Sequence, residues 1–152
     1  LLLRNLFKSG NLPYDYVFID CPPFLGAITS NALLASDLLI LPTQAEYYSV
    51  FALRNMMTLI RQVRANGNPQ LRYRLLLTMF DKRNRIHCSL AEHLRKTFSN
   101  GVFEAVIEID TKLRESPIIG QPIIFHAPKS RSSLQYRFLA QEIIYYVENK
   151  NQ

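Results

Sequence analysis

The sequence predicts an α/β fold: a mainly parallel sheet flanked by helices. Three observations carry that prediction. Four apolar runs, "YVFID", "LLILPT", "RYRLLLTMF" and "VFEAVIEI", are continuous and rich in aromatic and branched residues, as in strands covered on both faces. Segments of helical period stand between them. The spacing of the runs suits right-handed crossovers that join parallel strands. With 152 residues, 48% hydrophobic and 20% charged, the chain is expected to form one domain over residues 1–152.

The elements follow in order. Leu1 is not Met, and the first residues read as the interior of a helix, so the chain is expected to be a piece of a longer protein. Tyr16 to Asp20 is the first expected strand, bounded by Pro13 and by Cys21-Pro22-Pro23. Thr29 to Ser36 is a helix of small residues, and Asp37 leads into "LLILPT", closed by Pro42. From Tyr48 to Asn66 the apolar residues Ala52, Leu53, Met56, Leu59, Ile60 and Val63 share one helical arc, with Arg54, Arg61 and Arg64 on the neighbouring arc. Gly67, Asn68 and Pro69 end that helix. "RYRLLLTMF" is the third strand; a basic loop from Asp81 to Arg85 leads to a helix over Ser89 to Phe98, stopped by Asn100-Gly101. "VFEAVIEI" is the fourth strand, "PIIF" a short extended piece, and Ser132 to Val147 the last helix. Ligands of such sheets bind at the carboxyl ends of the strands, which puts Asp20, Thr43, Phe80 and the stretch after Ile109 on one rim.

Several classes are disfavoured. No apolar stretch reaches the roughly 18 residues that span a bilayer, and Arg4 and Lys8 interrupt the opening run, so a cytoplasmic protein without a membrane partner is expected. Cys21 and Cys88 have no metal-ligand or disulfide spacing, and Cys21 is expected to act as a small hydrophobe beside a buried strand. His87, His93 and His126 are scattered and read as surface or capping residues rather than bases or ligands. The charge of +6 is uneven: Arg54 to Lys96 holds ten basic residues against Asp81 and Glu92, a balance of +8, and the remainder sums to −2. That concentration points to a polyanion, nucleic acid first, with a merely solvated surface as the other reading.

Asp20 is the first candidate for chemistry. A carboxylate at the carboxyl end of an apolar strand is costly unless a cation or hydrogen-bond donors compensate it. A Walker B aspartate that holds Mg²⁺, directly or through water, is one solution. An aspartate that caps the next helix or faces water is another.

"YDYVFIDCPPFLGAITSNALLASDLLILPTQAEYYSVFAL", "LLLTMFDKRN", "KLRESPIIGQPI" and "PKSRSS", in that order, resemble the ParA (Soj) family of chromosome- and plasmid-partitioning ATPases. The resemblance runs from about Tyr14 to Val147. "DYVFIDCPP" also fits relatives with a deviant Walker A loop such as MinD, whereas "PTQAEYYS" and "LLLTMFD" favour the ParA branch. It implies a P-loop NTPase-like fold of the MinD-ParA type, of which this chain is the C-terminal portion. It further implies ATP and Mg²⁺ in the intact protein, an ATP-bound homodimer, non-specific DNA binding, nucleoid association and a ParB-like partner.

By the same resemblance Asp20 matches the Walker B aspartate that supports Mg²⁺ through water. Cys21, Pro22 and Pro23, with Phe24 to Gly26, match the switch segment that senses the γ-phosphate. Phe80 and Asp81 match the Tyr-Asp at the rim where the nucleotide base lies. Arg95 and Lys112 match DNA-binding positions, with Lys82, Arg83 and Arg85 nearby. Glu108-Ile109-Asp110 departs from the family's Pro-Arg-Asn, which leaves Asp110 at a nucleotide-facing loop. Phe51-Ala52 and Ala127 depart from its Glu-Gly and Asp. No G-K-G-G-x-G-K-T loop precedes Asp20, and the acidic switch I residue is also missing, so these 152 residues alone are expected not to hydrolyse ATP. Two other readings stand beside this one: a non-enzymatic remnant that binds DNA or a partner, and a MinD-like positioning ATPase, which the polar tail "YYVENKNQ" disfavours.

Overall fold

Short polar side chains decide where several helices begin. Asn84 Oδ1 accepts the N–H of Ile86 at 2.9 Å, Asp110 Oδ1 that of Lys112 at 2.9 Å, and Ser130 Oγ that of Ser133 at 3.2 Å. Each satisfies a first-turn donor that has no partner within its helix. The structure is a computed structural model that describes residues 2–10, 12–22 and 26–149. Its elements are α1 (Leu2–Ser9), α2 (Ala27–Ala35), β1 (Leu38–Gln44), α3 (Tyr47–Ala65), β2 (Arg72–Phe80), α4 (Arg85–Phe98), a 3₁₀ turn (Ser99–Gly101), β3 (Val102–Glu108), α5 (Thr111–Ile119), α6 (Ile123–His126) and α7 (Arg131–Glu148). Among the described residues the strands form one parallel sheet in the order β1-β2-β3, flanked by helices as the sequence predicts.

The contacts divide the chain into two compact units, Leu1–Leu39 with Arg54–Tyr73 and Ile40–Leu53 with Arg74–Gln152. In the first, Leu33, Val63 and Leu71 are buried together, with Leu34, Leu39 and Leu59 packed on them. The polar fastener of this core is Asn68, 8% exposed, whose Nδ2 donates to the carbonyls of Leu33 at 2.9 Å and Ser36 at 2.8 Å. Gly67 has φ +146 where the chain leaves α3; a Cβ there would lie 3.3 Å from Leu34. The N–H of Asn68 returns to Val63 O at 3.0 Å, the closing bond of a Schellman-type end.

In the second unit β2 and β3 run parallel, and α7 packs along β3. Leu75, Leu77, Leu94 and Phe103 are fully buried, as continuous apolar strands between helices require. The register of β2 on β3 breaks between Leu77 and Phe80, where β2 advances three residues and β3 two. Met79 takes up the extra residue at φ +52, unusual for a residue other than glycine.

Five expectations are corrected, and one helix is added. Tyr16 to Asp20 forms no strand: residues 12–22 have no regular secondary structure, and Phe18 is 75% exposed. A strand exists only where its peptide groups meet a ladder, and none among the described residues pairs with this run. Cys21 is accordingly exposed rather than a buried hydrophobe. "PIIF" is helical, not extended, because the carbonyl of Pro122 accepts the N–H groups of Phe125 and His126, both at 2.9 Å. The helix expected from Ser89 starts at Arg85, because Asn84 caps it. Helix α5 has no counterpart in the sequence pattern; Pro117 lies inside it, and Gly120 ends it in the left-handed region at φ 71. β1 runs on past Pro42 to Gln44.

Candidate nucleotide and nucleic-acid site

The residues singled out by sequence fall in both units. In the first, Asp20, Cys21 and Pro22 are exposed in the irregular segment, and Pro23 and Phe24 lie outside the described residues. In the second, the carboxyl ends of β2 and β3 gather Phe80, Asp81, Lys82, Glu108 and Asp110. The ladder holds them in step: Phe80 is in register with Glu108, and its carbonyl accepts the N–H of Ile109 at 3.0 Å.

Asp81 is the most strongly perturbed group here. Its carboxylate accepts Arg83 Nε at 3.1 Å, Arg83 Nη2 at 3.0 Å and the Arg83 N–H at 2.9 Å. These bonds hold its pKa at about 2. The N–H of Asp81 donates to His87 Nδ1 at 3.1 Å, and the His87 ring lies 5.9 Å from that of Phe80. His87 therefore secures the turn between β2 and α4, in keeping with a capping role.

Glu108 anchors the second half of the rim. Its carboxylate meets Arg131 Nη1 at 3.1 Å and Lys82 Nζ at 3.9 Å, and it accepts Gln135 Nε2 at 3.1 Å. Asp110 sits where two helices begin: Oδ1 caps α5, and Oδ2 accepts the N–H of Ser132 at 3.2 Å in the first turn of α7. Burial raises the Asp110 pKa, but the N–H groups of Lys112 and Ser132 outweigh it and hold the carboxyl below its ordinary value. A carboxylate at the positive ends of two helices occupies the place where an anion would be welcome.

The basic candidates differ in how far they are committed. Lys112 is paired with Glu115 at 2.9 Å, Glu115 also meets His126 at 3.4 Å, and Lys112 with His126 keeps the Glu115 carboxyl below its ordinary range. Arg83 is engaged by Asp81 and Lys82 by Glu108. Arg95 Nη2 reaches Glu104 O at 3.5 Å. Arg85, exposed at the first position of α4, has no ion pair among the described residues. Exposed pairs are each worth about 0–1 kcal/mol, so a phosphate competes for these cations at small cost. The charge count overstates the surface at Arg74, whose guanidinium lies 4.0 Å over the Tyr146 ring and donates to Val102 O at 3.4 Å.

Among the described residues no group of three or more His, Cys, Asp or Glu is arranged to hold a metal. A lone exposed carboxylate such as Asp20 fits a cation reached through water but does not by itself make a site. No helix among them is long and apolar enough to cross a membrane.

Sequence reasoning missed Glu108, Arg131 and Gln135 as parts of the rim. The only signal was the departure at Glu108; its partners are more than twenty residues away and meet it only through the packing of α7 on β3.

A family profile described as "AAA domain" matches residues 1–73. The chain is 40% identical over 142 residues to the sporulation initiation inhibitor protein Soj of Bacillus subtilis, covering 93% of this chain and 56% of that protein. It is 38% identical over 136 residues to the chromosome-partitioning ATPase Soj of Thermus thermophilus, covering 89% and 55%. Among solved structures, a plasmid partition protein of Borrelia burgdorferi superposes with a TM-score of 0.68 at 25% identity, over 95% of this chain and 52% of that one. Cobyrinic acid a,c-diamide synthase of Mycobacterium smegmatis with bound ADP and magnesium superposes at 0.76 with 24% identity, over 99% and 54%, a likeness of fold. The chain spans about half the length of the curated relatives it matches. The likeness to Soj and ParA proteins extends over most of this chain and about half of each of them.

Proposed function

We propose that this chain is the C-terminal part of a ParA-type ATPase for chromosome or plasmid partitioning. The observation that carries the reading is the 40% identity to a Soj protein over 93% of the chain. In the intact protein ATP and Mg²⁺ bind at the carboxyl rim of the sheet. Asp20 supplies a carboxylate to Mg²⁺ through water, Cys21, Pro22 and Pro23 form part of the γ-phosphate switch, and Phe80, Asp81 and Asp110 border the base. The nucleotide-bound form dimerises and holds non-specific DNA through Lys82, Arg83, Arg85, Arg95 and Lys112, until a ParB-like partner stimulates hydrolysis. Support for the cationic surface comes from Arg85, which has no ion pair among the described residues, and from the exposed pairs of Arg83 with Asp81 and Lys112 with Glu115, which hold their cations weakly.

The test uses the full-length protein. Mg²⁺-dependent ATP turnover is expected, and Asp20→Ala is expected to abolish it with the fold retained. Binding to unrelated DNA sequences is expected to weaken steeply with salt. DNA binding that ignores ATP, with no turnover, would establish the non-enzymatic reading instead.

A further inference from the structure

Between Glu46 and Asp81 the sequence has no acidic residue and five arginines: Arg54, Arg61, Arg64, Arg72 and Arg74. Three of the five lie on α3. That helix buries Ile60 and Val63 and turns Arg54, Asn55, Thr58, Arg61, Gln62 and Arg64 to solvent. At about 1.5 Å and 100° per residue, the three arginines span about 15 Å of the helix within roughly 80° of arc.

Two of these arginines are held in place without being neutralised. Arg61 Nε donates to Met57 O at 3.3 Å and its Nη2 to Thr58 Oγ1 at 3.5 Å, which lays the side chain back along its own helix. Arg64 Nε donates to Leu71 O at 2.8 Å, and its guanidinium lies 5.9 Å from the centre of the Tyr73 ring. Held in this way, Arg64 keeps both Nη groups for the two parallel bonds that grip a phosphate. Among the described residues neither arginine has an ion pair, whereas Lys82, Arg83 and Lys112 each already meet a carboxylate. The α3 cations are the less committed set.

The composition of this face also selects the kind of partner. A protein partner is met by apolar area at the centre of a patch, and no large apolar residue from Arg54 to Asn66 is exposed. A nucleic-acid backbone asks instead for cations and neutral donors, and Asn55 and Gln62 supply donors beside the arginines.

We infer that the solvent face of α3 is a second phosphate-contacting strip for DNA, with Arg61 and Arg64 as its principal contacts, on an element other than those that carry Lys82, Arg83, Arg85, Arg95 and Lys112. The inference rests on the reading that the intact protein binds DNA. It adds residues to which no role in that binding has been given. Its contacts are to the backbone alone, so they carry no preference for sequence.

The experiment measures binding of the ATP-bound full-length protein to a duplex of unrelated sequence over a series of salt concentrations. Arg61→Ala/Arg64→Ala is expected to reduce the slope of log affinity against log salt by about 1.8, and to weaken binding roughly eightfold per arginine at 0.1 M salt. Arg61→Lys/Arg64→Lys is expected to keep the slope, because the charges remain. A folded alanine pair that matches the parent in slope and affinity would overturn the proposal and leave the strip to solvent or to an acidic protein. A lysine pair that loses as much slope as the alanine pair would also overturn it, since the loss would then be one of packing. Should the alanine pair fail to fold, Arg61→Ala decides, because Arg61 bonds only within its own helix: a slope lower by about 0.9 supports the strip, and an unchanged slope removes it. A parent that binds no DNA at any salt would overturn the proposal together with the reading beneath it, which separates that failure from the others.

Discussion

Asp81 and Arg83 close on each other within one turn: the carboxylate accepts both a two-pronged guanidinium contact, at 3.0 and 3.1 Å, and the N–H of the same arginine at 2.9 Å. The folded carboxyl titrates at about 2, below the ordinary 3.8. Because the folded value is the lower one, the ionised pair favours the folded state above pH 3.8, and that contribution fades as pH falls toward 2. Arg83→Ala is expected to bring the Asp81 midpoint back toward 3.8, as read by carboxyl NMR titration. An unchanged midpoint would show that the backbone N–H, which that variant keeps, sets the shift.

Asp110 joins two helix starts, so its loss is structural before it is functional. Asp110→Ala is expected to destabilise the protein by about 1–2 kcal/mol, the range for a lost cap, measured by urea denaturation. Asp110→Asn keeps an acceptor for Lys112 and is expected to lose less. Equal losses in the two variants would mean that charge at the helix ends, not the cap, is what counts.

Asn68 holds two carbonyls from within the core of its unit. Asn68→Ala is expected to cost about 2–3 kcal/mol, since it leaves the acceptors of Leu33 and Ser36 without their donor. Thermal unfolding reads the change, and a loss below about 0.5 kcal/mol would indicate that water replaces the amide.

Met79 adopts φ +52 in the strand bulge that aims Phe80 and Asp81 at the rim. Met79→Gly is expected to be neutral or to stabilise by up to about 1 kcal/mol, because glycine enters this region without the steric cost. The side chain is 40% exposed, so little packing is lost. A clear destabilisation would show that the methionine side chain is what holds the bulge.

Arg85→Ala in the full-length protein is expected to weaken binding to all DNA sequences alike and to reduce the slope of log affinity against log salt by about 0.9, the value for one phosphate contact. An unchanged slope would remove Arg85 from the proposed surface.

Much of this was legible in residues 38–108. "LLILPT", "RYRLLLTMF" and "VFEAVIEI" became strands within a residue of their expected ends, because a continuous apolar run between turn residues has one low-energy use when helices cover it. The helix ended by Gly67 was equally plain, since a glycine at positive φ is a local signal. The order of motifs likewise carried the likeness to Soj and ParA proteins.

Tertiary structure decided the rest. Tyr16 to Asp20 has the composition of a strand, yet a strand is a relation between segments, and no described segment offers it a ladder. α5 depends on Asp110, whose second oxygen is held by a residue of α7 twenty-two positions on. The pairings of Glu108 with Arg131, and of Glu142 with the N–H groups of Glu104 and Ala105, follow from the packing of α7 on β3. Sequence determined which local conformations this chain prefers, because φ, ψ and side-chain burial are set over a few residues. Only the fold decided which charges meet, because Coulomb and hydrogen-bond partners are chosen by distance in space.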